Sequence, residues 1–133
     1  MSVAANREIA RRFIEDVWAK ADVAAAREII ADGLVINDGH WPGQPPGPEG
    51  QVWASHYARR AFPDMVWTVD LVVADEQLAV ERWTMRGTFS GPLGARQPTG
   101  KKAVWTGIDI LRIADGKIVE MWHAENAIKD VDG

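Results

Sequence analysis

The sequence predicts a single α+β domain in which helices pack on one face of an antiparallel sheet. Three observations support this fold class. Apolar residues recur at helical spacing up to Ala61, they alternate with polar residues from Met65 onwards, and Asp115–Gly116 separates two alternating runs near the end. Helices followed by a meander of strands are typical of α+β domains. No repeat or linker divides residues 1–133, so one domain is predicted.

The first predicted helix covers about residues 3–20. It carries one apolar stripe because three large apolar residues are spaced four apart, namely Ile9, Phe13 and Val17. Such a stripe indicates a helix that packs on a core along one side.

Two further helices enclose a short strand. Asp22 is the predicted N-cap of the second helix, and Gly33 is its predicted stop. Leu34–Ile36 is predicted to be a strand. Prolines and glycines then exclude regular structure over residues 39–48, and a third helix ends near Ala61.

The rest of the chain is predicted to be β-structure, with strands at residues 65–73, 78–89, 102–113 and 117–126. In the first of these strands one side carries Met65, Trp67, Val69, Leu71 and Val73. Asp-Gly between two apolar runs is a strong hairpin signal. We expect a three-residue loop with Gly116 in the left-handed conformation, which pairs Ile113 with Lys117.

Besides the terminal Glu125, two polar residues fall on the apolar side of this hairpin. In the predicted register Asp109 faces Met121. His123 faces Gly107, which makes it a diagonal neighbour of Asp109. A carboxylate is costly to bury unless it is paired, and an aspartate that orients an imidazole creates a general base. The pair is therefore predicted to be catalytic, although an Asp–His pair that only joins two strands is the alternative.

Composition restricts the partners and the chemistry. The net charge of −4 argues against nucleic acid and anionic membranes as partners. No apolar run approaches the roughly 20 residues of a membrane span, and no signal peptide is recognised, so a cytoplasmic protein is expected. The absence of cysteine excludes disulfides and thiolate catalysis. The three histidines lack ligand spacing, so no metal site is predicted, and no cofactor motif is found.

Seven tryptophans accompany a single tyrosine. They are predicted either to fill a core or to wall a pocket suited to flat ligands. As substrate-binding candidates we select the aromatic residues Trp18, Trp53, Tyr57 and Trp105, together with Met121 and Asn37.

Four segments resemble the SnoaL-like polyketide cyclases, also called ester cyclases, of the nuclear transport factor 2-like superfamily. In chain order they are Phe62–Met65, Arg82–Thr88, Pro98–Lys101 and Gly107–His123. The resemblance covers nearly the whole chain. It implies a cone-shaped barrel in which a curved antiparallel sheet wraps on three N-terminal helices around a deep pocket.

The resemblance also implies a cofactor-free intramolecular aldol closure, in which an acid–base residue moves protons within an apolar cavity. In the founding cyclases that residue is an aspartate on the last strand, and His123 takes its place here. Asp109 could supply the carboxylate. By the same alignment Asn37 and Trp18 match pocket residues of the family, with Asn37 as the donor to an oxyanion.

Three functions are therefore open. The first is a cyclase or isomerase that acts on a small hydrophobic carbonyl compound. The second is epoxide hydrolase or hydratase chemistry, in which Asp109, with Glu125 or Asn37, holds a water molecule. The third is a binding domain without catalysis.

A homodimer is predicted through the other face of the sheet. That face carries an apolar band that no predicted helix covers, formed by Val104, Ile108, Ile110, Ile118 and Trp122.

Overall fold

A computed structural model of the chain describes residues 2–39 and 41–131. Its helical elements are α1 (Val3–Arg12), a π-helical segment (Phe13–Trp18), α2 (Val23–Ile29) and α3 (Gly47–Ala61). Its strands are β1 (Ile30–Ile36), β2 (Val66–Ala74), β3 (Leu78–Thr88), β4 (Lys102–Ala114), β5 (Lys117–Glu125) and β6 (Lys129–Asp130). The predicted α+β class is confirmed. None of the described helices is long and apolar enough to cross a membrane.

The first helix has the predicted extent, but its hydrogen bonding changes in its second half. From Phe13 onwards the helix widens into a π-helix, and the Ala19 amide donates to the Ile14 carbonyl five residues earlier. This segment ends at Trp18, whose ring lies 5.5 Å from that of Trp67 on β2. The wider turn therefore brings an indole of the first helix against the sheet.

The second helix begins as predicted and ends earlier than predicted. Asp22 caps α2 by accepting a hydrogen bond from the Ala25 amide at 3.1 Å. The predicted stop at Gly33 is wrong, because α2 ends at Ile29 and Ile30 already has extended backbone. Both isoleucines are buried, and the direct change from helix to strand keeps both side chains in the core. Gly33 lies inside β1.

The sheet is curved, mixed and open. Its strands follow the order β1-β5-β4-β3-β2, and β6 pairs with the beginning of β4. β1 runs parallel to β5, which corrects the prediction of a purely antiparallel sheet. Within the described residues the edge strands β1 and β2 do not pair with each other, so the predicted barrel is not closed. The helices pack on one face of this sheet and leave the other face bare.

The final hairpin differs from the prediction in both its loop and its register. The loop has two residues, Asp115 and Gly116, whose φ angles of 52° and 76° suit a type I′ turn. Such a loop alone would place Asp109 and His123 on opposite faces. A bulge at Val119 adds one residue to β5 and restores the shared face. His123 consequently lies directly opposite Asp109, not diagonal to it.

A second bulge lies in β2. Asp70 is an extra residue between Val69 and Leu71 in the pairing with β3. Beyond this bulge the alternation of faces reverses. Leu71 and Val73 are therefore 54% and 49% exposed, whereas the sequence pattern placed them on the same side as Trp67.

The bare outer face keeps most of the predicted apolar band. Ile108 and Ile110 are exposed on β4, and Trp122 on β5 is half-buried. The assignment of Ile118 to this band is wrong. Ile118 precedes the bulge at Val119 and is completely buried in the core.

Candidate active site

A buried Asp–His pair lies at the centre of the inner sheet face. The Oδ1 atom of Asp109 is 2.5 Å from the Nδ1 atom of His123. Asp109 is 2% exposed and His123 is partly buried. The two residues come from adjacent strands and face each other in register, which fixes the approach of carboxylate and imidazole. Because this short hydrogen bond holds Nδ1, Nε2 is the imidazole nitrogen that is left to face a ligand.

Trp83 contacts both members of the Asp109–His123 pair. Its indole Nε1 donates to Asp109 Oδ2 at 3.1 Å, and its ring stacks against His123 with a centroid distance of 6.0 Å. Gly107 lies opposite Trp83 and leaves space for it. A Cβ atom on Gly107 would lie 2.2 Å from Trp83 Cζ2. Only glycine at position 107 therefore leaves room for the Trp83 indole.

The second imidazole nitrogen also faces a carboxylate. His123 Nε2 is 3.5 Å from Glu125 Oε2, at the open side of the site. Burial alone would lower the pKa of His123, but hydrogen bonds to Asp109 and Glu125, together with their negative charges, raise it to about 10. An imidazole between two carboxylates is protonated at neutral pH, so the resting site offers a proton donor.

Glu81 is a third buried acid beside the pair. It lies directly opposite Asp109 on β3 and is completely buried. Neither of its carboxyl oxygens has a hydrogen-bond partner of good geometry among the described residues. Burial, followed by the charge of Asp109, raises the pKa of Glu81 well above its usual value. Burial and the neighbouring carboxylate therefore both favour the protonated form of Glu81.

The Asp109–His123 pair opens into a hollow walled by indoles. The hollow is narrow in this structure, with a volume of about 40 Å³. Five of the seven tryptophans line it as a continuous series with neighbouring ring centroids 5.0 to 6.4 Å apart, in the order Trp18, Trp67, Trp83, Trp105 and Trp41. Flat apolar ligands are the class that such walls favour.

Three of the predicted substrate-binding residues line this hollow: Trp18, Trp105 and Met121. Asn37 is not among the lining residues. Its amide nitrogen donates to Glu120 Oε2 at 2.9 Å and to the Met121 carbonyl at 3.2 Å, which ties the end of β1 to β5. A role for Asn37 as an oxyanion donor stays a prediction, and it requires these bonds to open.

Trp53 and Tyr57 lie outside the hollow, behind its wall. Their rings stack with a centroid distance of 5.1 Å, and Tyr57 in turn lies 5.0 Å from Trp41, which does line the hollow. The Tyr57 hydroxyl accepts a hydrogen bond from the Gly94 amide. In this position the two residues support Trp41.

Sequence reasoning did not select several residues of the site. Glu81 could have been found from strand alternation, because it lies two residues from Trp83 on the inward side of β3. Gln51 and Trp67 carry buried polar atoms at the wall, and no motif marks either residue. Among the described residues no group of three or more His, Asp or Glu side chains is arranged to hold a metal ion.

Comparisons with known proteins agree with this architecture. A sequence model of the family described as SnoaL-like polyketide cyclase matches residues 8–129. Wild-type IdmH from Streptomyces antibioticus, described as a candidate polyketide cyclase, is 31% identical over 87% of this chain and 91% of that chain, with a TM-score of 0.66.

Two other solved structures share this fold at lower sequence identity. TsrD from Streptomyces laurentii is 21% identical and has a TM-score of 0.81, with 95% of this chain and 91% of that chain covered. AclR from Streptomyces galilaeus, described as a candidate hydroxylase, is 25% identical and has a TM-score of 0.72, with 94% and 77% covered. No curated protein matches the sequence significantly.

Proposed function

Because the chain belongs to the SnoaL-like polyketide cyclase family, we propose that it is a cofactor-free enzyme for acid–base chemistry on a small hydrophobic carbonyl compound, of the aldol or isomerase type. The observation that carries this proposal is the buried Asp109–His123 pair, 2.5 Å apart, at the wall of an indole-lined hollow. A charged pair in such surroundings is costly to maintain, and strongly shifted pKa values of this kind cluster at functional sites.

His123 acts first as the acid. Asp109 holds Nδ1, so the Nε2–H is the group that can donate to a substrate carbonyl oxygen once that oxygen replaces Glu125. Glu125 lines the hollow beside Nε2 and is the carboxylate placed to accept the proton that leaves carbon. Transfer of the carbon proton to Glu125 and of the Nε2 proton to oxygen produces an enol.

An aldol closure follows from the same two groups. The enol carbon attacks a second carbonyl of the same molecule, and the enol O–H returns its proton to His123. Glu125 gives its proton to the new alkoxide, so both groups recover their starting states and no cofactor is consumed. The indole walls hold the two reacting carbons in contact. This positioning lowers the entropic part of the activation barrier.

Proton exchange on a bound ketone tests this assignment. We expect the protein to accelerate deuterium incorporation next to the carbonyl of 1-tetralone, followed by NMR. His123→Ala should reduce the rate by about 10²–10⁴-fold, the usual contribution of a positioned acid or base. His56→Ala is the matched control, because His56 is exposed on α3 and should leave the rate unchanged. An unchanged rate in His123→Ala overturns the assignment.

Water activation on an epoxide is a weaker candidate. Asp109 is 2% exposed, and its oxygens already accept from His123 and from the Trp83 indole, so a water molecule has little access to it. Glu125 alone could do so. Oxygen-18 from solvent in a diol product would favour this chemistry. Ligand binding without either exchange or hydrolysis would favour a binding domain.

A further inference from the structure

Three ionisable residues form a row across three neighbouring strands of the inner sheet face. Glu81 on β3 lies directly opposite Asp109 on β4, and Asp109 lies directly opposite His123 on β5. Glu81 is 0% exposed and Asp109 is 2% exposed. Residues that face each other in this way have Cβ atoms about 4.5–5.5 Å apart, which lets two carboxyl groups share a hydrogen bond. The Asp109–His123 pair therefore continues into Glu81.

The other surroundings of Glu81 are uncharged. On its second side Glu81 pairs with Val72 of β2. Helix α1 packs against β3, and none of its buried residues is ionisable, namely Asn6, Ile9 and Ala10. Among the described residues Asp109 is the charged group that acts on Glu81. Any influence of Glu81 on the site therefore passes through Asp109.

The hydrogen bonding of Glu81 suits a neutral acid and not a carboxylate. No described residue donates a hydrogen bond to either of its carboxyl oxygens, as an ionised Glu81 would require. A protonated Glu81 instead has an O–H of its own to donate. Asp109 can accept it, because a carboxylate has about four acceptor sites and only two known donors, His123 and Trp83, reach this one.

A third donor to Asp109 changes the acidity of His123. While the imidazole is protonated, its positive charge balances that of Asp109. When His123 gives its Nε2 proton to a substrate, the charge of Asp109 loses this balance, and a donated O–H then stabilises it most. The donor therefore favours release of the proton. An apolar side chain would fill the same space without the cost of burying an acid, so packing alone does not account for Glu81.

We propose that Glu81 is a positioning residue, a neutral acid that donates to Asp109 and thereby makes His123 a stronger acid. Glu81 acts only through Asp109 and does not contact the substrate. Its contribution to catalysis rests on the proposed function, whereas its coupling to His123 does not.

Two substitutions at this position separate the donor from the packing. Glu81→Gln keeps a neutral donor, whereas Glu81→Met fills a similar space without one. We expect deuterium exchange on 1-tetralone to fall about tenfold in Glu81→Met, the effect of a lost hydrogen bond to a charged group, and to stay within a few-fold in Glu81→Gln. Glu76→Met, in the exposed turn before β3, is the matched control and should leave the rate unchanged.

Nitrogen-15 NMR of the imidazole measures the coupling without any substrate. The protein is labelled at its three histidines, and the His123 signals are assigned with His123→Ala. The pKa of His123 in the unmodified protein is expected at about 10. The midpoint should lie about one pH unit higher in Glu81→Met, which is the same tenfold effect, and should stay in place in Glu81→Gln and Glu76→Met.

The outcomes separate this coupling from the catalytic assignment. A midpoint that is unchanged in Glu81→Met overturns the proposal, whatever the exchange rates are. A midpoint that rises equally in both Glu81 variants overturns it as well, because the donor would then be irrelevant. A midpoint that falls in both would mean that Glu81 is a charged neighbour, which also overturns it. The expected midpoints without exchange in the unmodified protein support the coupling and count against the acid–base role of His123.

Discussion

The two faces of the sheet reverse the usual arrangement of side chains. The inner face, under the helices, buries two carboxyls and an imidazole, namely Glu81, Asp109 and His123. The outer face exposes isoleucines at 108 and 110. The same β4 strand supplies both, because Asp109 lies between the two isoleucines and points the other way. Each departure from the ordinary pattern supports a proposal, catalysis inside and association outside.

The outer face carries exposed apolar side chains. Leu71 and Val73 on β2, and Ile108 and Ile110 on β4, lie on this face, and each is at least 38% exposed. In register, Val80 lies between Val73 and Ile110, which makes one apolar row across three strands. Exposed apolar rows of this kind mark association surfaces, and we propose a second copy of the chain as the occupant. Both the homodimer and the cytoplasmic location stay predictions.

The largest effect is expected on the outer face. Ile110→Lys places a charge in the middle of the apolar row and should weaken dimerisation about a hundredfold or more, since an unpaired charge would have to be buried. Sedimentation at micromolar concentration should then give the mass of one chain. Val3→Lys on α1 is the control, because Val3 is also 38% exposed but lies away from the sheet. An unmodified protein with the mass of one chain would contradict the homodimer.

The pH dependence of exchange tests the inner face. The pKa of His123 in the folded chain, about 10, lies above its ordinary value of 6.5. The imidazolium of the folded chain is therefore retained until the pH approaches 10. The stability that it contributes is complete below about pH 6.5 and is lost as the pH rises through about 10. Exchange should stay level between pH 7 and 9, and fall about tenfold per pH unit above 10.

The rate of His123→Ala, measured at each pH, corrects for exchange caused by hydroxide. A corrected rate that rises with pH through neutrality would show that neutral imidazole is the working form, and that His123 starts as a base instead of an acid.

Gly107 leaves the space that the Trp83 ring occupies on the inner face. Gly107→Ala would bring a Cβ within 2.2 Å of Trp83 Cζ2 and 2.9 Å of the Ala124 carbonyl. Trp83 must then move, and its bond to Asp109 must lengthen or break. We expect a loss of about 1–3 kcal/mol in the free energy of unfolding, the usual effect of overpacking, measured by urea denaturation.

Gly33→Ala is the matched control for this change, because Gly33 also lies in a strand and a Cβ added there would meet no atom within 4 Å. Equal stabilities for the two variants would mean that Trp83 is not confined by Gly107.

The sequence was sufficient to predict most of the elements and the meeting of Asp109 with His123, but not the register of the strands. Period-two alternation and the Asp115–Gly116 turn locate the final hairpin, and an isolated acid among apolar neighbours identifies Asp109. β-Bulges leave no comparable pattern in the amino-acid sequence. The bulge at Val119 made the true register differ from the predicted one, although Asp109 and His123 still meet.

The buried polar groups in and around the hollow were the hardest to predict. Glu81, Gln51 and Trp67 are significant because their polar atoms are buried without partners, and burial of single atoms depends on tertiary packing. A glutamine on a helix and a tryptophan on a strand are ordinary residues until that packing is known. The parallel pairing of β1 with β5 was missed for a similar reason, because β1 has no alternation that distinguishes the direction of its partner.

The smallest effect is expected from Glu81→Gln. Because the buried acid keeps its proton, glutamine reproduces its charge and nearly its shape, and the exchange rate should change by no more than a few-fold. The raised pKa of Glu81 means that folding must bind a proton once the pH exceeds the ordinary value of 4.5, so Glu81 makes the unmodified protein lose stability as the pH rises, and the variant lacks this loss. Urea denaturation should therefore show similar free energies of unfolding at pH 5 and an advantage for Glu81→Gln at pH 8.

Glu76→Gln, in the exposed turn before β3, should show no such trend. A variant that becomes less stable than the unmodified protein as the pH rises would mean that Glu81 is ionised inside the fold, and that the inner face holds two negative charges instead of one.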